Sequence, residues 1–295
     1  MASVISIEYF RAKKSALEGD ARAQFLLGSM YMRGNHVEKN YEEAIKWLTK
    51  AAEQGNVNAK IQLGSIYVFG KGVETSIDKA LPLLLEGAEH GNWYAQLIAG
   101  SVYLGLYGGE PNCTEALKWL TKSAEQGNDL AQLLLGSVYF FGDGIDTDYD
   151  EAIKWFRKAA AQGNMTAQYN MGVMYFKGLG VDKNYSEVMK WYKKAAENGH
   201  KGAQYNLGLM YFYGRGIDNN DNEAAKWIKK SAEQGDDKAQ YFLGMMYFVG
   251  RGVEKNSKKG MECFEKSAAQ GNKKAQETIE HFQNIRKEIL EKQKA

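Results

Sequence analysis

The chain has 295 residues, with 38 Lys and Arg against 36 Asp and Glu for a formal net charge of +2. Apolar residues make up 44% and charged residues 25%, the balance of a globular domain, which excludes a chain that stays unfolded in isolation. Glycine at 32 positions with proline at only 2 excludes collagen and proline-rich linkers, and fits many helices each closed by glycine.

In chain order, the first stretch, Met1 to Phe10, contains Glu8 and lacks the basic start and apolar run of a secretory signal. No apolar run approaches the ~18 residues of a membrane span. Two cysteines make no disulfide framework, so the expected compartment is the reducing cytoplasm; a leader cleaved beforehand would instead place the chain in the periplasm or outside the cell. Glu8 to Glu18 reads as a lone helix, and residues 1–19 as an N-terminal cap.

From residue 20 to 271 the sequence repeats itself. Gly28, Gly64, Gly100, Gly136, Gly172, Gly208 and Gly244 recur every 36 residues, each with Tyr three positions on (Tyr31 to Tyr247) and Ala five positions before (Ala23 to Ala239). Each unit is predicted as two helices. The first, Val57–Phe69 in the second unit, aligns Ala59, Leu63 and Tyr67 on one stripe and stops at Gly70 and Gly72. The second, Ile77 to His90 in the same unit, belongs to columns of Ala44, Ala80, Ala116, Ala152 and Ala224 and of Trp47, Trp119, Trp155, Trp191 and Trp227. A further glycine column, Gly55 to Gly271, suits a left-handed closing residue, and the Asn or Asp after it, as in Gly55-Asn56, can cap the next helix. The anchor glycines and alanines should let the paired helices approach closely.

Two units depart from the pattern. In the second, Leu83 replaces Trp, Glu86-Gly87 replaces Lys-Ala, and Pro82 should kink the helix or delay its start. In the third, Leu104 to Gly109 and Pro111 redraw the loop at constant length. After the seventh unit, Lys273 to about Lys292 reads as a lone helix with Glu280 at the anchor position, and residues 272–295 as a C-terminal cap.

One helix pair cannot bury its apolar side alone, so the units must stack. The expected fold is all-α: a right-handed superhelical α/α solenoid of seven 36-residue helix-turn-helix repeats with capping helices at both ends, forming a single domain over residues 1–295.

No catalytic or metal-binding constellation is legible. His36, His90, His200 and His281 are scattered, without a His-Glu-x-x-His or Cys-x-x-Cys spacing, and read as surface or turn residues. Gly70-Lys71-Gly72 and Gly178-Leu179-Gly180 follow helices rather than strands, and read as helix stops rather than phosphate loops. Cys113 and Cys263 lie too far apart in a stack for a disulfide and should be thiols, with Cys263 buried at the Trp position. No cofactor, small-molecule substrate or enzymatic activity is expected.

The fourth unit shows the whole pattern: Ala131, Leu135-Gly136, Tyr139, Gly142-x-Gly144-Ile145, Ala152, Trp155, Lys158-Ala159-Ala160 and Gly163. This resembles the Sel-one-like repeat family, relatives of tetratricopeptide repeats, over about residues 16 to 275. The resemblance implies a TPR-like scaffold or adaptor of bacterial type that binds proteins. Cysteine-rich members of that family pair two cysteines per unit and are linked to penicillin binding. This chain lacks those pairs, so that activity is not carried over, and a β-lactam-hydrolysing enzyme is the weakest alternative. An immunity or antitoxin-like protein that blocks one effector is a second alternative.

In tetratricopeptide-like stacking the first helices line a concave wall. Counted from the anchor glycine, positions −3, +1 and +4 lie opposite the core stripe, yet they are apolar where a merely solvated face would be polar. The expected partner-binding residues are Leu133, Phe140, Tyr169, Val173, Phe176, Tyr205, Leu209, Phe212, Tyr213, Tyr241, Met245 and Phe248. Neighbouring first helices could equally bury these side chains against one another, and both readings can hold together. Residues 1–150 carry 13 Lys and Arg against 19 Asp and Glu, whereas residues 151–295 carry 25 against 17. The basic second half favours an acidic or extended peptide. Nucleic acid is disfavoured because lysine pairs such as Lys193-Lys194, Lys229-Lys230 and Lys258-Lys259 fall on second helices, away from this face. Self-association stays open.

Overall fold

The computed structural model describes residues 7–142 and 144–292; the outer ends of both expected caps (residues 1–6 and 293–295) and loop residue 143 lie outside the described residues, as does most of the stretch read for a leader. Helix contacts group the chain into two compact units, residues 1–147 and 148–295. The first holds α1 (Ile7–Leu17), α2 (Ala21–Arg33), α3 (Tyr41–Glu53), α4 (Val57–Phe69), α5 (Ile77–Glu89), α6 (Trp93–Tyr103), α7 (Cys113–Glu125) and α8 (Asp129–Phe141). The second holds α9 (Tyr149–Ala161), α10 (Met165–Lys177), α11 (Tyr185–Glu197), α12 (Lys201–Tyr213), α13 (Asp221–Glu233), α14 (Asp237–Val249), α15 (Ser257–Ala269) and α16 (Lys273–Lys292). No strand occurs among the described residues. Within each unit a helix packs mainly on its neighbours in sequence, the all-α repeat solenoid expected.

The helices begin and end where the repeat punctuates them. Asp20, Asn56, Asn92, Asn128, Asn164 and Asp236 each accept a hydrogen bond from the third amide of the following first helix, at 2.6–3.0 Å. Such a cap is worth about 1 kcal/mol. Asn40, Asn112, Asp148, Asn184, Asn220 and Asn256 cap the second helices in the same way. First helices close on a left-handed glycine, as at Gly34 (φ 74°) and Gly178 (φ 72°).

The anchor glycines are the points of closest approach. A β-carbon at Gly28 would lie 2.8 Å from Leu48 Cγ, at Gly100 2.7 Å from Leu120 Cγ, at Gly172 2.5 Å from Tyr192, and at Gly244 2.6 Å from Phe264. Leu48, Leu84, Leu120, Ile228 and Phe264, which fill these spaces, are almost completely buried.

Polar bonds tie each first helix both to the helix before it and to the second helix of its own repeat. The Gln24 amide donates to the Ala16 carbonyl at 3.2 Å, and its oxygen accepts from Gln54 at 2.7 Å. Gln96, Gln204 and Gln240 repeat both bonds, with Gln126, Gln234 and Gln270 as donors. Asn198 donates to Gln168 instead. In the second repeat the pair becomes ionic: Lys60 Nζ lies 2.6 Å from the Glu86 carboxylate. Gly87 beside it leaves the space that Ile61 occupies.

The two irregular units behave differently. Pro82 does not delay α5, which starts at Ile77, one 36-residue period after Tyr41. Pro82 and Asp78, whose carbonyl loses its amide donor to the proline, are both exposed residues, while Ala80 and Leu84 remain fully buried. In the third repeat α6 ends two residues early, at Tyr103, and Gly105 (φ 75°) starts the redrawn loop. At the ends, α1 buries Tyr9, Ala12 and Ala16 beside Trp47, and α16 buries Ala275 and stacks Phe282 on Phe248 at 4.9 Å.

Replacing Gly208 by Ala should force α12 away from α13, because the new methyl would sit 2.5 Å from Ile228 Cγ1 and 3.1 Å from the Ala224 carbonyl oxygen. Overpacking of this kind should lower stability by about 1–3 kcal/mol in urea unfolding, with helix content retained at low denaturant.

Candidate partner-binding clefts

The expected partner-binding residues do not form one uniform surface. Among them only Tyr213 (54% exposed) and Met245 (36%) are largely open to solvent. The other ten are half-buried, so packing and exposure coexist along the face. Tyr205 and Phe212 pack on Phe242, at ring distances of 6.4 and 4.9 Å, and the Arg251 guanidinium covers the Phe212 ring at 3.8 Å. Tyr241 leans on Phe264 at 5.4 Å, and Phe248 is stacked between Phe264 and Phe282. Leu133 and Phe140 lie on α8 in the first unit, with the Phe140 ring 5.0 Å from Phe141. Burial pushes the Tyr205 hydroxyl up to about 12, and raises that of Tyr192 as well.

Tyr169, Val173, Phe176 and Leu209 do come together. They line a cleft of about 270 Å³ between α10 and α12, floored by Tyr192 and Met210, with Asn206, Lys177 and Arg215 as its polar members. An equivalent cleft of about 350 Å³ lies on the first-helix face of the other unit, between α2, α4 and α6. Its apolar wall includes Phe25, Met32, Ile61 and Phe69, its far side is Trp93 and Tyr94, and its cations are Arg33 and Lys71. Trp93 is 46% exposed. Neither cleft has an Asp or Glu among its lining residues. Cationic character on this face is therefore not confined to the basic second half of the sequence.

Sequence reasoning missed these cations and Trp93. Arg33 and Lys177 occupy the last position of a first helix, where only Tyr213 was singled out, and Trp93 opens α6 at a position that is aromatic in no other repeat. Lys71, Arg215 and Arg251 share the middle position of the Gly-x-Gly stop. In each case the loop turns the cation back over a first-helix aromatic: Lys71 over Phe69 at 5.3 Å, Arg215 over Tyr213 at 5.2 Å, and Arg251 over Phe212. The usable signal was a cation between two stop glycines.

The second helices carry a different arrangement. The indole N–H of Trp47, Trp119, Trp191 and Trp227 donates to Glu43, Glu115, Glu187 and Glu223, at 2.9–3.2 Å. A lysine three residues on covers each ring, from Lys158 over Trp155 at 3.9 Å to Lys194 over Trp191 at 5.0 Å. The paired lysines of α11, α13 and α15 are exposed there, on the helices the sequence indicated. Cys263, at the Trp position of the seventh repeat, is half-buried rather than buried, and both cysteines carry thiols.

The Sel1 repeat pattern matches seven consecutive segments, residues 21–56, 57–92, 93–128, 129–164, 166–200, 202–236 and 237–272. The chain belongs to the Sel1 repeat family. Among solved structures it is similar to a protective antigen present in uropathogenic Escherichia coli strains, with a TM-score of 0.86 and 36% identity over 94% of this chain. It spans 59% of the length of that antigen. A Sel1 repeat protein from Oxalobacter formigenes is similar over 93% of this chain and 79% of its own, with a TM-score of 0.80 and 35% identity. A sel1-like repeat-containing protein of Acanthamoeba polyphaga mimivirus is 51% identical over 39 residues, 13% of this chain and 7% of the viral protein. Sel1 repeats are generally protein-interaction modules without catalytic activity. No helix among the described residues is long and apolar enough to cross a membrane. No cluster of three or more His, Cys, Asp or Glu among them is placed to hold a metal ion.

The four histidines remain separate. His36 sits in a turn (φ 63°) with its ring 3.3 Å from Glu8, His90 ends α5, and His281 lies on α16. His200 serves the fold, since its Nδ1 accepts the Ala203 amide at 3.1 Å as the cap of α12 and its ring stacks on Tyr169 at 4.4 Å. The backbone amide can only donate, so the capping imidazole is neutral, and burial lowers its pKa from 6.5. Protonation therefore favours the unfolded chain. The stabilisation is present above pH 6.5 and lost as pH falls through the depressed folded value. Replacing His200 by Asn, the cap of most other repeats, should remove this part of the pH dependence, as read from urea midpoints on either side of pH 6.5.

Proposed function

We propose that the chain is a non-catalytic adaptor whose first-helix clefts hold apolar side chains of a protein partner, with acidic residues of that partner meeting the cations at the rims. The observation that carries this reading is the shared chemistry of the two clefts: aromatic and aliphatic walls, two cations each, and no carboxylate lining either. Apolar anchors in pockets supply most of the affinity at such interfaces, and complementary charge supplies orientation and faster association. Lysine and arginine over aromatic rings stay extended along the face, so less side-chain entropy is lost when an acidic group binds.

Selection from a random peptide display library against the full chain tests this directly. Enriched peptides should carry Leu, Phe, Tyr or Trp beside Asp or Glu, and Arg215→Glu combined with Lys177→Glu should weaken the best of them about tenfold or more, the effect of losing two partly exposed charge contacts. Enrichment of basic peptides, or affinities untouched by the charge reversal, would reject the assignment.

A further inference from the structure

The seventh repeat lacks the tryptophan that five of the other six carry, and a cleft lies where it would stand. The indole of Trp47 packs with Ala16, Leu27 and Tyr31, that of Trp119 with Ala88, Ala99 and Tyr103, and that of Trp227 with Ala196, Leu207 and Tyr211. One period further on, the same three positions are Ala232, Leu243 and Tyr247. Here they line a cleft of about 440 Å³ with Cys263, where Cβ and a thiol stand in place of the ring system. This lies within the range of small-molecule sites, about 300–1,000 Å³.

The polar groups around the vacancy are changed in a directed way. Lys266 keeps the place of the lysines that cover the indoles elsewhere. The glutamate that accepts the indole N–H in four other repeats is replaced by Lys259, and the lysine one turn on by Glu262. Lys229 and Glu233, 3.9 Å apart, complete the charged rim. At the indole's outer edge the site thus offers a cation where its counterparts offer an acceptor. A flat ring suits the walls, and an anionic substituent suits Lys259.

We propose that this cleft binds a small aromatic carboxylate, its ring in the vacated tryptophan space between Leu243 and Lys266 and its carboxylate toward Lys259. The inference is independent of the first-helix clefts, because the site lies on the second-helix side of α13 and α15. Cys263 at its floor reports occupancy. The experiment is iodoacetamide labelling of the full chain, followed by peptide mass spectrometry that separates Cys263 from Cys113. With 2-naphthoate at about ten times its Kd, labelling of Cys263 should slow about tenfold by mass action, and labelling of Cys113 should be unchanged. Naphthalene-2-methanol, of the same shape without the charge, should protect at least about tenfold less well, a difference of about 1.4 kcal/mol. Lys259→Glu should remove that preference in a protein with an unaltered fold. Cys263→Trp should refill the space and abolish 2-naphthoate binding in calorimetry. Equal protection by the acid and the alcohol, protection of both cysteines alike, or unreduced naphthoate binding by Cys263→Trp would overturn the proposal.

Discussion

A missing β-carbon in the middle of each first helix sets the geometry of everything else. With hydrogen at Gly28 or Gly208, the second helix of the same repeat brings Leu48 or Ile228 to within a methyl's width of the first helix backbone. The two helices become one rigid pair whose outer sides still carry unburied Tyr, Leu and Ala. That residual apolar surface is what makes a neighbouring pair necessary.

Apolar packing alone would let one pair slide over the next, since methyl groups tolerate many registers. The glutamine bonds remove that freedom. Gln24 or Gln204, buried between helices, satisfies its amide only when one carbonyl and one side-chain donor are both in place. A slip would leave the buried glutamine amide without its carbonyl acceptor in the preceding helix, at a cost of about 1–3 kcal/mol per repeat. Within the second repeat the tie between first and second helix is instead ionic, Lys60 to Glu86.

With pairing and register assigned to a few positions, the remaining positions are free to differ between repeats, and the functional candidates lie among them. Cations between stop glycines fold back over first-helix rings, so a loop that ends a helix also sets the charge of the face. On the other side, the Glu–Trp–Lys arrangement is a filled site in most repeats and an open one in the seventh. In both places a substitution inside the periodic pattern changes surface chemistry without disturbing the helices that carry it.

The sequence by itself determined the helices, their boundaries and the pairing rule, because these depend on contacts at fixed short separations: Val57–Phe69 and Lys273–Lys292 coincide with α4 and α16. It also marked the apolar first-helix face, but not how that face divides. Tyr205, Phe212 and Phe248 are largely occupied by Phe242, Phe264 and Phe282, whereas Tyr169, Val173, Phe176 and Leu209 surround an open cleft. Within each of the three columns, one-letter periodicity treats open and occupied side chains alike, and Pro82, a helix breaker by rule, is harmless because it sits on the exposed side of α5. Whether an apolar side chain is spent on a neighbour or left for a partner depends on the volumes of residues 30 or more positions away, and only the folded arrangement brings those volumes together.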